Sequence, residues 1–252
     1  MSFLQQVRLE KQEEVDALLL SPPQLSRRAD LRSLHDALAA PGVSAIAEIK
    51  RRSPTRGEIR PGSLPEEIAV QYEHAGAAAI SMLTDTPHFG GHLDELQAVR
   101  EAVHIPVLRK DFLIHPVQVD ESYAAGADAV LLIVAMLSDR ELSELLQRSQ
   151  ELGMDALVEI HDEDELKRAL STSARIIGVN NRNLKSLEID LAQAEDLLPR
   201  CQENRIRVAE SGLFSPSDVH RMVSAGADAI LVGSSLMLAD HPGEALEKLL
   251  CG

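Results

Sequence analysis

Four short apolar runs in this chain close on an ionisable or amide side chain, and a fifth carries one next to its end. SAIAEIK closes on Lys50, IPVLRK on Lys110, RIIGVN on Asn180 and IRVAES on Glu210 and Ser211, while DALVEI carries Glu159. Such a run reads as a buried strand. A polar group buried there costs roughly 2–7 kcal/mol, even as an uncharged amide, unless it is paired or used. Ammonium, carboxylate and amide groups held together can exchange protons and can stabilise charge appearing on a carbonyl oxygen. Strand side chains alternate faces with period two. Glu48 and Lys50 therefore share a face, as do Leu108 with Lys110, Leu157 with Glu159, and Val208 with Glu210. Ala45, Ala47 and Ile49 take the opposite face of the first run. One such acid–base pair is readily a structural salt bridge; four strands that all end in inward polar groups point to function.

A second set of residues suits an anion. Lys50-Arg51-Arg52-Ser53-Pro54-Thr55-Arg56-Gly57 puts four cations and two hydroxyls on the loop after the first run. It reads as a lid that gathers negative charge. Ser211-Gly212 and Gly233-Ser234-Ser235 follow two later runs, and the second opens a helix-like SSLML segment. Glycine there lets backbone N–H groups approach a phosphate, and the helix start adds a favourable dipole. Other chemistries find less support. His161 and His88 could suggest a metal, but His161 stands beside Asp162 and Glu163 at a helix start with no second histidine at ligand spacing, so no metal is expected. Ser211 has no histidine placed as its base, which argues against a serine hydrolase. The Gly90-Gly91 pair is too short for a nucleotide-binding fingerprint.

These groups need elements to position them. Strand-like segments near 44–50, 78–84, 105–110, 128–134, 155–160, 175–180, 205–210 and 228–233 alternate with stretches rich in Leu, Ala and Glu. Such alternation predicts a parallel sheet covered by helices. Eight units in 252 residues favour closure into an α/β (β/α)8 TIM barrel. In that fold all strand C-termini face one rim, where active sites are built, and the loops after strands seven and eight commonly bind phosphate. AGAAAISML, AGADAVLLI and AGADAILVG repeat one turn from helix to strand, with Gly76, Gly126 and Gly226 at the left-handed position. Residues 1–43 read as an N-terminal helical extension. Leu18–Leu20 close one helix, SPP breaks it, and Leu25–Leu38 suggests another. One domain over 1–252 is expected.

Composition narrows the partners. The net charge is −15, which argues against nucleic acid or an anionic membrane surface. A small anionic substrate remains compatible with a locally basic pocket. No run approaches the roughly 18 apolar residues of a membrane span, and the acidic start does not read as a signal peptide. Cys201 and Cys251 lie in no metal or redox spacing, so free thiols in a reducing cytoplasm are expected.

AIAEIKRRSPTRGEI (45–59), ISMLTDTPHFGGHLDEL (80–96), the segment from Pro106 to Ile133, LVEIHDEDEL (157–166), IIGVNNRNLKSLEIDL (176–191) and VAESGLFSPSDV (208–219) follow one another in an order that is highly specific. On these motifs the chain resembles the indole-3-glycerol-phosphate synthase family of tryptophan biosynthesis, over roughly residues 44 to 238. The first loop reads KRRSPTRG where KRASPSKG is commoner. His92 stands where Ser is usual, and Leu187 where an aromatic is common.

The resemblance implies a cofactor-free carboxy-lyase. It would convert 1-(o-carboxyphenylamino)-1-deoxyribulose 5-phosphate into indole-3-glycerol phosphate, CO2 and water. Lys110 is then the expected acid for ring closure, with Glu159 as partner acid or base. Lys50 would bind phosphate and carboxylate and donate a proton in dehydration, with Glu48 opposite it. Asn180 and Arg182 would orient the substrate, and Glu210 would fix a lysine or the substrate amine. Phe89, Phe112, Leu131, Leu184 and Leu213 would wall the aromatic ring. Ser53, Ser211, Gly212, Gly233 and Ser234 would hold the polar end. The family is often monomeric, and a monomer is expected here. The rivals are a phosphoribosylanthranilate isomerase-like enzyme, which typically needs a Cys and an Asp at strand ends, and a non-catalytic phosphate-binding barrel. Neither accounts for Glu48, Lys110 and Glu159 in one mouth.

Overall fold

Eight parallel strands close into a barrel in the computed structural model, which describes residues 3–184, 186–202 and 204–251. Residues 1 and 2 of the expected extension lie outside the described residues. The strands are β1 (Ser44–Ile49), β2 (Ala79–Leu83), β3 (Val107–Lys110), β4 (Ala129–Ile133), β5 (Asp155–Ile160), β6 (Ile176–Asn180), β7 (Ile206–Glu210) and β8 (Ala229–Val232). Each pairs with its sequence neighbours, and β8 pairs with β1 to close the ring. A parallel strand covered by helices is buried on both faces, which is why AVLLI in β4 is apolar throughout and fully buried. All eight strands lie where the alternation of the sequence places them.

Local chemistry starts and stops the helices between them. Ser138, Asp162 and Ser215 cap the helices Asp139–Glu151, Glu163–Leu170 and Pro216–Ser224, each accepting a hydrogen bond from a backbone N–H three residues on. Gly76, Gly126 and Gly226 carry φ of 86°, 97° and 97°, the left-handed region that turns each helix into its next strand.

The N-terminal extension differs from its expected form. α1 (Phe3–Leu20) is a helix, but α2 is only Leu34–Leu38, and residues 22–33 form an irregular strap rather than the expected helix from Leu25. Acceptors on the strand-entry side of the barrel capture the N–H groups a helix would use. The Arg28 N–H donates to the Tyr123 hydroxyl at 2.7 Å and the Arg32 N–H to Asp128 at 3.1 Å. The Arg28 and Arg32 guanidiniums donate to the carbonyls of Ala127 and Ile105. Asp155 accepts from Ser33 and His35.

α1 reaches the opposite, C-terminal rim. Its buried Lys11 ammonium lies 2.9 Å from both Asp85, after β2, and Asp111, after β3. The loop after β1 is more ordered than a free lid: Arg52–Ser53 pairs antiparallel with Gly57–Glu58.

Candidate active site

Four strands deliver ionisable groups to the C-terminal mouth. Lys110 from β3 places its ammonium 3.8 Å from Glu48 Oε2 on β1 and 3.8 Å from Glu159 Oε2 on β5. Lys50 lies 2.6 Å from Glu48 Oε1. The register of β6 with β7 sets Asn180 directly opposite Glu210. Glu48, Glu159 and Glu210 are each nearly fully buried. Glu159 Oε2 and both Glu210 carboxyl oxygens find no hydrogen-bond partner among the described residues. Buried polar atoms left unsatisfied are rare, and here they border a cavity of about 480 Å³.

Charge separates the carboxyls into two kinds. Burial alone would raise Glu159, but Lys110 and His161 outweigh it, with help from Asn180, and hold its carboxyl down at about 2. Burial likewise opposes ionisation of Glu48, yet Lys50 and Lys110 keep it below the usual range. Glu210 goes the other way: burial, and then the negative charge of Glu159, push it well above its ordinary value. Lys110 loses solvation on burial, but Glu159, Glu48 and Glu210 hold it charged beyond the normal lysine range. The mouth thus presents a firm ammonium, two carboxyls biased toward ionisation and one biased toward its protonated form. Groups driven apart in this way can serve as acid and base at one pH.

Two glycines make room for this cluster. A Cβ on Gly178 of β6 would stand 2.0 Å from Glu210 Oε1, and one on Gly233 would stand 2.5 Å from Glu48 Oε1. Either contact is far inside van der Waals range, so any larger residue would displace a carboxyl.

The lining is of two chemical kinds. Phe89, Phe112, Leu131, Leu184 and Leu213 supply apolar surface, with ring centroids of Phe89 and Phe112 6.2 Å apart. Ser53, Arg182, Ser211, Gly212, Gly233 and Ser234 supply polar side chains and backbone groups. The Asn180 side-chain carbonyl accepts from the Arg182 N–H at 3.0 Å, and the Arg182 guanidinium donates to the Leu187 carbonyl. Ser211 sits at φ 63°, a conformation that costs a non-glycine residue about 1–3 kcal/mol and concentrates at functional sites. SSLML forms a short helix, Ser234–Met237, behind Gly233. Every residue singled out from the sequence as catalytic or binding lines this one cavity.

The basic loop is the exception to its expected form. Arg51 is tied to Glu95 and to the Gly90 carbonyl, and Arg52 stays on the exposed ribbon, so only Lys50 and Arg56 of its four cations line the cavity. Other contributors escaped the sequence reading. Phe3 of α1 lines the cavity and meets Phe112 edge to face at 6.2 Å. Asp85 and Asp111 hold Lys11, and Asp111 also accepts from the Phe112 N–H at 2.7 Å. His88 pairs with Glu10, and His161 pairs with Glu159 and Glu165. Lys11 carried a signal, because it stands midway between Val7 and Val15 on the buried stripe of α1.

Comparison with known proteins shows the family of the chain. The family model described as indole-3-glycerol phosphate synthase matches residues 4–249. A protein of Parafrankia sp. named indole-3-glycerol phosphate synthase is 50% identical over 226 residues, covering 90% of this chain and 84% of its own. One of the same name from Aquifex aeolicus is 42% identical over 259 residues, covering 99% of each. Among solved structures, 3-hexulose-6-phosphate synthase from Salmonella typhimurium aligns with a TM-score of 0.65 at 14% identity, over 83% of this chain and 97% of that one. A thiamine phosphate pyrophosphorylase from Pyrococcus furiosus aligns at 0.61 with 18% identity, over 86% and 96%. Those two likenesses concern the fold alone. Matched along nearly its whole length by that model and by these relatives, the chain belongs to the indole-3-glycerol phosphate synthase family.

Proposed function

We infer that this chain, as a member of that family, is the carboxy-lyase of tryptophan biosynthesis that closes the indole ring, and that Lys110, Lys50 and Glu159 carry its proton transfers. The observation behind this reading is the Lys110 ammonium held between the Glu48 and Glu159 carboxylates at the mouth of the barrel. The substrate is 1-(o-carboxyphenylamino)-1-deoxyribulose 5-phosphate. Its ring carbon bearing the carboxylate attacks the ketone, and negative charge develops on the ketone oxygen. Lys110 donates a proton there, giving a hydroxyl. CO2 then leaves, and its bonding electrons restore the aromatic ring. Loss of the hydroxyl as water takes a proton from Lys50, while Glu159 removes the proton from the adjacent carbon. Two protons are given and one is taken, which balances the departure of a carboxylate as neutral CO2.

Binding follows the two kinds of lining. Phe89, Phe112, Leu131, Leu184 and Leu213 take the aromatic ring. Ser53, Ser211, Gly212, Gly233 and Ser234 take the phosphate end, with Arg56 and Lys50 as nearby positive charge. Arg182 and Asn180 orient the carboxylate and hydroxyls. Glu210, protonated, donates to the substrate rather than repelling it. The substrate is a phosphorylated small molecule, and no helix among the described residues is long and apolar enough to cross a membrane. A monomer in the cytoplasm belongs to the same reading, and the free thiols of Cys201 and Cys251 suit a reducing compartment. Turnover assays of Glu159→Gln test it: loss of ring closure with substrate binding retained supports the base, and near-normal turnover removes it.

A further inference from the structure

Glu159 has a partner on the side away from the cavity. His161 follows β5, and its side chain is one-tenth exposed. Its Nε2 lies 3.2 Å from Glu159 Oε1, and its Nδ1 lies 3.0 Å from Glu165 Oε2. Glu165 stands in the first turn of the helix Glu163–Leu170. The same Glu165 oxygen accepts from the His161 backbone N–H at 2.7 Å, and the Glu165 N–H donates to Asp162 at 2.9 Å. The imidazole is therefore braced from the helix and cannot turn away from Glu159. A carboxylate oxygen near each ring nitrogen favours the imidazolium, in which both nitrogens carry hydrogen. The contact with Glu159 is an ion pair rather than an aligned hydrogen bond.

The charges around the pair explain why this matters. Glu159 faces Lys110 from β3, Asn180 from β6, Glu210 from β7 and Glu48 from β1. Lys110 acts on both Glu159 and Glu210 but more strongly on Glu159, which it approaches to 3.8 Å. The His161 contact falls on Glu159 and adds to that bias. The charged groups on His161 are Glu159 from its own strand and Glu165 from the following helix. Burial opposes its charge, but these two carboxylates outweigh burial and push it up to about 10.

We propose that His161, braced by Glu165, is a positioning residue that keeps Glu159 the ionised member of the Glu159–Glu210 pair, poised as base beside Lys110. The proposal rests on the reading of Glu159 as the base. His161→Gln keeps the donor toward Glu165 and removes the charge. Its kcat–pH profile is expected to show the acid limb moved up by about one pH unit or more, with KM little changed. An acid limb left in place overturns the proposal, even if kcat falls uniformly, because that is what a purely structural residue would do. A second measurement needs no variant enzyme to be active. In the wild-type protein, the His161 ring proton followed by NMR should remain that of an imidazolium beyond pH 9, in line with its raised value. A midpoint near the ordinary histidine value of about 6.5 overturns the proposal whatever Glu159 does. Failure of the Glu159 reading is seen separately, as turnover retained in Glu159→Gln.

Discussion

The Lys110 ammonium lies 3.8 Å from Glu159 Oε2, and that oxygen accepts no hydrogen bond from any described residue. The same ammonium lies 3.8 Å from Glu48 Oε2. Both contacts are ion pairs, too long for hydrogen bonds. Electrostatics hold the lysine charged while its N–H groups stay available to a third oxygen. A developing alkoxide placed between these groups completes an arrangement that the protein leaves open.

The opposite shifts of the Glu159 and Glu210 carboxyls predict opposite responses to one chemical change. Glutamine imitates a protonated glutamate but not an ionised one. Glu210→Gln is expected to keep kcat within about tenfold of wild type, whereas Glu159→Gln should lose about 10²–10⁴-fold, the usual worth of an acid–base group. Steady-state kinetics of the two variants check this. Equal losses would mean that the proton is shared otherwise.

Lys11 predicts a stability change with a definite pH dependence. Its ammonium sits between Asp85, Asp111 and Glu14, and its own charge is reinforced by Asp111 and Asp85 against burial. Lys11→Met removes the cation that Asp85 and Asp111 share, leaving Asp111 with Arg109 as its remaining cation, and should cost about 3–5 kcal/mol in urea unfolding. Despite burial, Arg109 and Lys11 hold the Asp111 carboxyl down at about 2, below its ordinary 3.8. A depressed acid stabilises the fold above its unfolded value and loses that contribution as pH falls through the folded one. In the wild type, about 2 kcal/mol is therefore present above pH 4 and disappears toward pH 2. In Lys11→Met the Asp111 carboxyl is less depressed, so this acid-dependent loss should be smaller.

Gly178→Ala predicts damage to chemistry out of proportion to its size. The added methyl would stand 2.0 Å from Glu210 Oε1 and 3.2 Å from Leu157 Cδ1. The Glu210 carboxyl must swing into the cavity and displace substrate. Circular dichroism should stay that of the barrel while kcat/KM falls by at least about tenfold. Unchanged kinetics would show that the pocket has slack the geometry does not suggest.

What the sequence revealed follows from the range of the forces involved. Strand positions and the inward facing of Glu48, Lys110, Glu159 and Glu210 depend on period-two alternation, which is local. The turns at Gly76, Gly126 and Gly226 depend on backbone conformation, also local. Lys11 and Phe3 depend on what lies across from them. Lys11 looks like an exposed helix cation until α1 is laid over Asp85 and Asp111, and Phe3 becomes a pocket wall only by the same docking. Residues 25–33 failed as a helix for a related reason: Tyr123 and Asp128, about a hundred positions on, take their N–H groups. The four-cation lid failed because Glu95 and Gly90 hold Arg51 away from the mouth.

The chain contains no Trp and only two Tyr, so new indole is visible against it. Excitation near the red edge of indole absorption, with the carboxyphenylamino-deoxyribulose phosphate as substrate, follows ring closure directly. Emission should rise in proportion to wild-type enzyme and be absent in Lys110→Met that still binds the phosphate substrate. A near-normal rise in Lys110→Met would contradict the assignment of the acid. No rise in the wild type, with substrate still bound, would contradict ring closure at this mouth.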